Sequence, residues 1–247
     1  MNKKYSLTKN TKEWSGKTLF QIKAEISFKS VVKGELGGYI EKEENLSQDG
    51  NAWVYGDAQV YGDARVSGNA LVYGNAQVYG NAWVYGNAQV SGDAQVSGDA
   101  QVYGDAWVSG DALVYGDARV YGDAWVYGDA LVYGNALVYG DAQVSGNARV
   151  SGDALVSGNA LVYGNAWVSA KLSYTKGRFI GGDNSGKITD ITDKTGSQYW
   201  KNQYVLGDYE IKEQDEDNPV ETIEIGGIKY NKEEIEEKLR DIKPINN

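Results

Sequence analysis

Histidine and cysteine, the side chains most used for acid/base, nucleophilic and metal chemistry, are both absent from this 247-residue chain. Without them there is no imidazole base near neutral pH, no thiolate ligand or nucleophile, and no disulfide. What remains are carboxylates, phenols, indoles, ammonium groups and glycine-rich loops. Each occurs in a pattern that can be weighed against a known use.

Aspartate recurs at a fixed place. Between residues 50 and 169 the chain carries eleven Asp and three Arg, and each of those Asp follows a glycine. If three six-residue units make one coil, residues eighteen apart stack, which puts Asp105, Asp123 and Asp141 on one edge and Asp93, Asp111 and Asp129 on another. Such a ridge could bind cations or imitate nucleic acid, or it could be a row of solvated turns. Carboxylates about 5 Å apart repel by roughly 1 kcal/mol or less in water, so solvated turns suffice. Calcium-binding solenoids use a different, nonapeptide pattern with denser acids. No metal site and no cofactor is expected.

The same spacing stacks aromatic side chains. Tyr85, Tyr103, Tyr121 and Tyr139 fall in four successive coils, Trp107 lies against Trp125, and Tyr115 against Tyr133. Together with Asp105 and Asp123 these are the candidate partner-binding residues. Aromatic ladders can hold coil to coil, at roughly 0.2–1 kcal/mol per cross-strand pair, can form an interface, or can stack on sugar rings. The first two uses are compatible. A further candidate, Gly181-Gly182-Asp183-Asn184-Ser185-Gly186-Lys187-Ile188, matches the nucleotide phosphate loop up to its last position, where Ile188 replaces the Ser or Thr that binds magnesium. The β-branched run after it suits a strand, not the required helix, so a plain loop is expected.

The elements that must hold these side chains are written in a repeat. From Gly50 to Ser169 the sequence runs as twenty uninterrupted units of Gly-(Asp/Asn)-Ala-x-Val-(Tyr/Ser), with Gly, Ala and Val unvarying from unit to unit. Ala-x-Val-(Tyr/Ser) alternates at period two, so Ala and Val share one face of a short strand while x and Tyr/Ser point outward. Gly-(Asp/Asn) supplies a corner, since these residues best tolerate the left-handed backbone region. A corner every six residues forbids any long strand or helix and points to a parallel solenoid.

Val54-Tyr55-Gly56-Asp57-Ala58-Gln59 and its copies resemble the hexapeptide repeat of left-handed parallel β-helices, in which an aliphatic residue is followed four positions later by a small one. That resemblance implies an all-β fold, a left-handed triangular parallel β-helix with three hexads per coil. Twenty hexads give six to seven coils and a rod of about 32 Å at ~4.8 Å per coil. The chain departs from the family in placing Tyr or Ser directly after the aliphatic residue. Leu36-Gly37-Gly38-Tyr39-Ile40-Glu41 and Glu44-Asn45-Leu46-Ser47, with the repeat itself, also resemble repeat proteins of phage and prophage genomes described as polymer-forming or transferase-like.

Around the repeat (50–169) the chain divides into an N-terminal cap (1–49), a β-rich extension of the rod (170–212), an acidic linker (213–219) and a small ββα unit (220–247). In the cap, Leu19–Ile26 alternates as a strand and Lys33–Gly38 reads as a turn into an irregular coil. The extension holds strand-like pieces at 178–180, 187–192 and 204–211. In the last unit a hairpin forms about Gly226-Gly227, and Asn231 with Glu234 starts a helix whose Ile235, Leu239 and Ile242 share a face.

The net charge of −10 leaves no general footprint for nucleic acid or an anionic membrane, and no apolar run is long enough to span a bilayer. The basic start lacks the apolar core of a signal peptide, so a cytoplasmic location is expected, the host's if the chain is phage-encoded. The resemblance would allow an acyltransferase, but those enzymes usually place a catalytic His at a subunit interface and interrupt the coils with a substrate loop, and this chain has neither. The expectation is a non-catalytic binding or scaffold protein of phage or prophage type. Its partner would be a host protein such as a defence factor, or a second copy in a homo-oligomer. A particle or filament component and a carbohydrate-binding module are the alternatives.

Overall fold

Each position of the hexad does one structural job. A computed structural model describes residues 3–168 in full, and beyond them the strands Ser173–Tyr174, Arg178–Ile180, Ile188–Trp200, Gln203–Glu213, Thr222–Ile225 and Ile228–Asn231. Every hexad forms one strand made of its x and Val residues, from Trp53–Val54 to Trp167–Val168, with Leu161–Tyr163 one residue longer. Each strand pairs in parallel with the one three hexads on, so Gln101 lies opposite Arg119 and Val102 opposite Val120. The result is a triangular parallel β-solenoid of about seven turns with three sheets. The first face opens with Trp53–Val54, the second with Gln59–Val60 and the third with Arg65–Val66.

The hexad Ala and Val residues from Ala52 to Val168 are all at most 1% exposed, so they alone fill the interior along the repeat. Val stiffens the two-residue strand, and Ala, one residue past the corner, is small enough for three strands to close around it. The ladder is regular: Gln101 N–H donates to Ala118 O at 2.9 Å, Tyr103 N–H to Val120 O at 3.0 Å and Asp105 N–H to Gly122 O at 2.9 Å. The hexad glycines have φ between 56° and 72°. They also let coils approach: a Cβ on Gly98 would lie 2.8 Å from the Gly116 nitrogen.

The N-terminal cap is more than the single strand and turn read from its sequence. β1 (Tyr5–Trp14) and β2 (Lys17–Ala24) form an antiparallel hairpin, and β2 pairs with β3 (Leu36–Ile40), part of the stretch expected to be a turn. β3 runs parallel to Gln59–Val60, and Leu46 bridges to Val66, which makes the expected irregular coil. That coil satisfies the carbonyls on the first regular coil's open edge, which would otherwise cost about 1–3 kcal/mol each if buried unpaired. Tyr39 N–H donates to Ala58 O, Glu41 N–H to Val60 O and Ser47 N–H to Val66 O. Side chains do the rest: Asn45 Nδ2 reaches Gly62 O at 3.0 Å and Ala64 O at 2.8 Å, and Lys4 Nζ reaches Ala52 O at 3.0 Å. The cap also wraps the sides of the first coil. Trp53, an outward-facing position, is fully buried with its ring edge-on to Tyr5 and Phe28.

At the other end, the first face continues through Arg178–Ile180, parallel to Leu161–Tyr163, then through Gln203–Glu213, antiparallel to Arg178–Ile180, with Ile188–Trp200 next in the sheet. The pieces expected at 178–180 and 204–211 are strands, the one expected at 187–192 lies, from Ile188 on, within the longer Ile188–Trp200, and the short strand Ser173–Tyr174 is additional to them. Thr222–Ile225 and Ile228–Asn231 form the hairpin that Gly226-Gly227 predicts, with Ile225 opposite Ile228. The phosphate-loop-like segment before Ile188, the acidic stretch after Glu213 and the expected helix with Ile235, Leu239 and Ile242 lie outside the described residues. The chain divides into two compact units, Met1–Lys212 and Glu213–Asn247.

Candidate functional site

The stacked aromatics are where the spacing puts them. Tyr85, Tyr103, Tyr121 and Tyr139 form a four-ring column on the third face, with centroids 4.8–4.9 Å apart and planes within 5° of parallel. Tyr115 and Tyr133 stack at 5.0 Å on the second face, and Trp107 and Trp125 at 5.2 Å on the first. Successive rings cover one another's faces, so the column offers mainly ring edges and hydroxyls to a partner. This geometry is coil-to-coil packing, worth about 0.5–1.5 kcal/mol per pair beyond area burial. Burial, and after it the neighbouring phenol of Tyr103, pushes the Tyr85 and Tyr121 hydroxyls above their ordinary pKa.

The ten candidate residues do not converge on one pocket, but six of them form a compact group. Tyr103-Gly104-Asp105-Ala106-Trp107 is repeated as Tyr121-Gly122-Asp123-Ala124-Trp125 one coil further on. Each pentad turns the corner from the third face to the first. Two stacked tyrosines therefore flank the edge on one side, two stacked tryptophans on the other, and Asp105 and Asp123 stand between them. Trp125 is 45% exposed and both aspartates are exposed. Tyr85 and Tyr139 extend the tyrosine column to either side, while Tyr115 and Tyr133 lie on the second face, apart from this group.

The two aspartates are not equivalent, for a reason that spacing alone did not show. Asn51 Nδ2 donates to Asn69 Oδ1, Asn69 to Asn87, and Asn87 to Asp105, at 2.8–2.9 Å. Other corners repeat the bond: Asn75 to Asp93, Asn81 to Asp99 and Asn135 to Asp153. In all of these the asparagine sits in the coil nearer the N-terminus and the acceptor in the next. A column of Asn ends as a hydrogen-bonded chain at its first Asp, since a carboxylate has no proton to pass on. Asp105 is thus tied to Asn87, while the Asp123 carboxylate makes no hydrogen bond or ion pair among the described residues. Reading Asn and Asp as interchangeable corner residues concealed this difference. Among the described residues no group of three or more acidic side chains is placed to hold a metal, and no helix is long and apolar enough to cross a membrane.

The cap holds a second unusual electrostatic environment. Lys4, 3% exposed, points its ammonium at the carbonyls of Ala52 and Asp49. Burial lowers its pKa from the ordinary 10.5 to about 8, with the Asp49 charge working against the shift. Tyr5 beside it is pushed upward by burial and by Glu43 and Glu44. Its hydroxyl donates to the carbonyls of Leu46 and Glu43. Both groups close the end of the rod.

A regular triangular coil with unvarying Gly, Ala and Val defines the class, a parallel β-solenoid repeat protein. Within the class, ten overlapping segments spanning residues 58–92 and 94–170 match the family model described as YdcK Beta solenoid repeat. These segments cover somewhat under half of the chain, and the repeat is similar to that model over them. No curated protein matches the chain.

Proposed function

We propose that this solenoid is a non-catalytic binding rod that engages a protein partner along the edge between its third and first faces. The observation that carries the reading is the exposed Trp125 beside the unpartnered Asp123, backed by stacked Trp107 and the tyrosine column. A rigid aromatic anchor next to a free carboxylate fits a partner patch that combines an apolar pocket with Lys or Arg, the residue mix of interface hot spots. The interior supports the same view, since Ala and Val positions leave nothing inside the coils for chemistry. In its finer form the rod is an inhibitor that occupies a host protein, in keeping with the resemblance to phage repeat proteins.

A filament grown end to end is the second reading. Against it stands the cap, in which β3, Asn45 and Lys4 occupy the strand edge that an added copy would need. The test is affinity capture from the host cell with the full chain and with Trp125→Gln and Asp123→Lys. Gln already occupies the same column of the first face at Gln89 and Gln143, so Trp125→Gln preserves the fold. A stoichiometric protein lost with either variant, at unchanged melting temperature, is expected. No partner, together with filaments in electron micrographs, would favour the structural reading. Saturable micromolar binding of acetyl-coenzyme A in calorimetry would overturn the non-catalytic part.

A further inference from the structure

Away from the aromatic edge, the second face carries a polar groove of about 320 Å³ where the cap hairpin meets the rod. Its floor is a ladder of amides, Gln59, Gln77 and Gln95, from three successive coils in register. Along the neighbouring edge run Asp57, Asn75 and Asp93, and β1 contributes Lys12 and Trp14.

The hydrogen bonds of this groove are incomplete in a specific way. Gln59 is 3% exposed, yet its Oε1 has no hydrogen-bond partner among the described residues. Gln77 and Gln95 accept from the hydroxyls of Tyr61 and Tyr79, which fixes their side chains and leaves both Nε2 donors uncommitted. Asn75 Nδ2 donates to Asp93, and the Asp57 carboxylate makes no hydrogen bond or ion pair among the described residues. The Lys12 ammonium lies 5.3 Å from the Trp14 ring and 5.6 Å from Tyr39 and is in no ion pair among the described residues. A buried acceptor left open costs free energy unless something donates to it. Amide donors, carboxylate acceptors and an indole therefore converge on one cleft at a repeat of roughly 4.8 Å.

We propose that this groove is a saccharide-binding site for one or two sugar rings. Vicinal hydroxyls both donate and accept, so they pair with amides and carboxylates side by side, and the C–H face of a ring packs on Trp14. The volume lies at the lower end of the small-molecule range of about 300–1,000 Å³, which suits a disaccharide-sized ligand. Other chemistries fit less well. Phosphates of a nucleic acid would meet Asp57 and Asp93, and an extended peptide could pair only with the outer edge of β1, because the strands of Gln59, Gln77 and Gln95 are paired on both sides and offer side-chain amides, not backbone, to the groove. The Tyr column is a poorer sugar platform, since its ring faces are already stacked. The site is independent of the protein-binding edge.

The test is calorimetric titration of the full chain, with saturation-transfer NMR, using cellobiose, maltose and N,N′-diacetylchitobiose as probes and glycerol as control. Saturable one-to-one binding of at least one disaccharide, in the millimolar range or tighter, is expected. Gln77→Leu should weaken it about tenfold or more. Leu occupies the same column at Leu113 and Leu131, so that variant keeps the fold. Trp14→Ala should act in the same direction and Trp125→Gln should leave binding unchanged. The proposal is overturned if none of the three disaccharides binds saturably, if binding survives Gln77→Leu, or if Trp125→Gln weakens it equally.

Discussion

The hexad glycines serve both backbone conformation and coil spacing, and two substitutions separate the roles. Gly56 has φ +58° and its added Cβ would meet nothing nearer than Gly74 O at 3.7 Å, whereas at Gly98 (φ +66°) it would sit 2.8 Å from Gly116 N and 3.2 Å from Gly116 Cα. Gly56→Ala therefore carries only the strain of a left-handed alanine, about 1–2 kcal/mol. Gly98→Ala carries that strain plus a backbone collision that relaxes only if two coils move apart. Overpacking of this kind costs about 1–3 kcal/mol, and the Asp99 N–H bond to Gly116 O at the same corner would be strained with it. The gain from a stiffer unfolded chain is common to both variants and cancels in the comparison. Gly98→Ala should therefore be the more destabilising by roughly 1.5–4 kcal/mol. Repeat arrays can lose cooperativity, so denaturant midpoints followed by circular dichroism should be paired with hydrogen exchange at Asp99. A difference between the variants below about 0.5 kcal/mol, with unchanged protection at Asp99, would refute the packing role and leave only the φ requirement.

Other consequences can be checked on the same material. Asn45→Ala strips donors from the buried carbonyls of Gly62 and Ala64 and should cost about 2–5 kcal/mol in denaturant unfolding; a cost under about 0.5 kcal/mol would mean the cap carbonyls find water. Lys4 binds its proton less tightly when folded, so between pH 8 and 10.5 the unfolded chain holds a proton the folded chain has lost, and stability rises across that window. Lys4→Met should abolish that rise. Tyr85, Tyr115 and Tyr121 act oppositely: their stabilisation is complete below the ordinary value of 10.0 and is lost as pH climbs through their raised folded values. Replacing the three by Phe should flatten the alkaline fall, read from denaturant midpoints over a pH series. Asp105→Asn turns the end of the asparagine chain into a donor toward Asp123 and should stabilise by about 0.5–1.5 kcal/mol with weaker salt dependence; destabilisation would show that the Asn87 bond needs a carboxylate acceptor.

What was legible in the sequence and what was not divide along a physical line. A hexad repeated twenty times tests its own reading: invariant Ala and Val must face a common interior, and the eighteen-residue stacking of Tyr103 on Tyr121 or Trp107 on Trp125 follows from three hexads per turn. The cap has no such redundancy. Lys4 meets Ala52 and Asn45 meets Ala64 through single contacts that join distant parts of the chain, and neither residue type announces a buried role. The strand Tyr5–Trp14 is not evident from sequence because the polar run Thr8-Lys9-Asn10-Thr11-Lys12-Glu13 looks like solvated surface until a second strand pairs with it. The same blind spot covers the groove. Gln59, Gln77 and Gln95 are ordinary outward positions of the repeat, and only the hairpin folding back beside them makes their amide ladder the floor of a groove.

The repeat also explains why function must be sought at its irregularities. A solenoid of identical coils would present the same surface at every level, and specificity requires a level that differs. Two such places bear on the proposed sites, although Asn also gives way to Asp at other corners. Asn87 gives way to Asp105 in the middle of the edge where Trp107 and Trp125 stack, and the cap leans on the first coils of the second face. Both rest on invariant Gly, Ala and Val, so outward substitutions there can change binding with little effect on the interior. If Asp123→Lys or Gln77→Leu instead unfolded the rod, outer positions would be bearing the stability assigned here to the core and ladder.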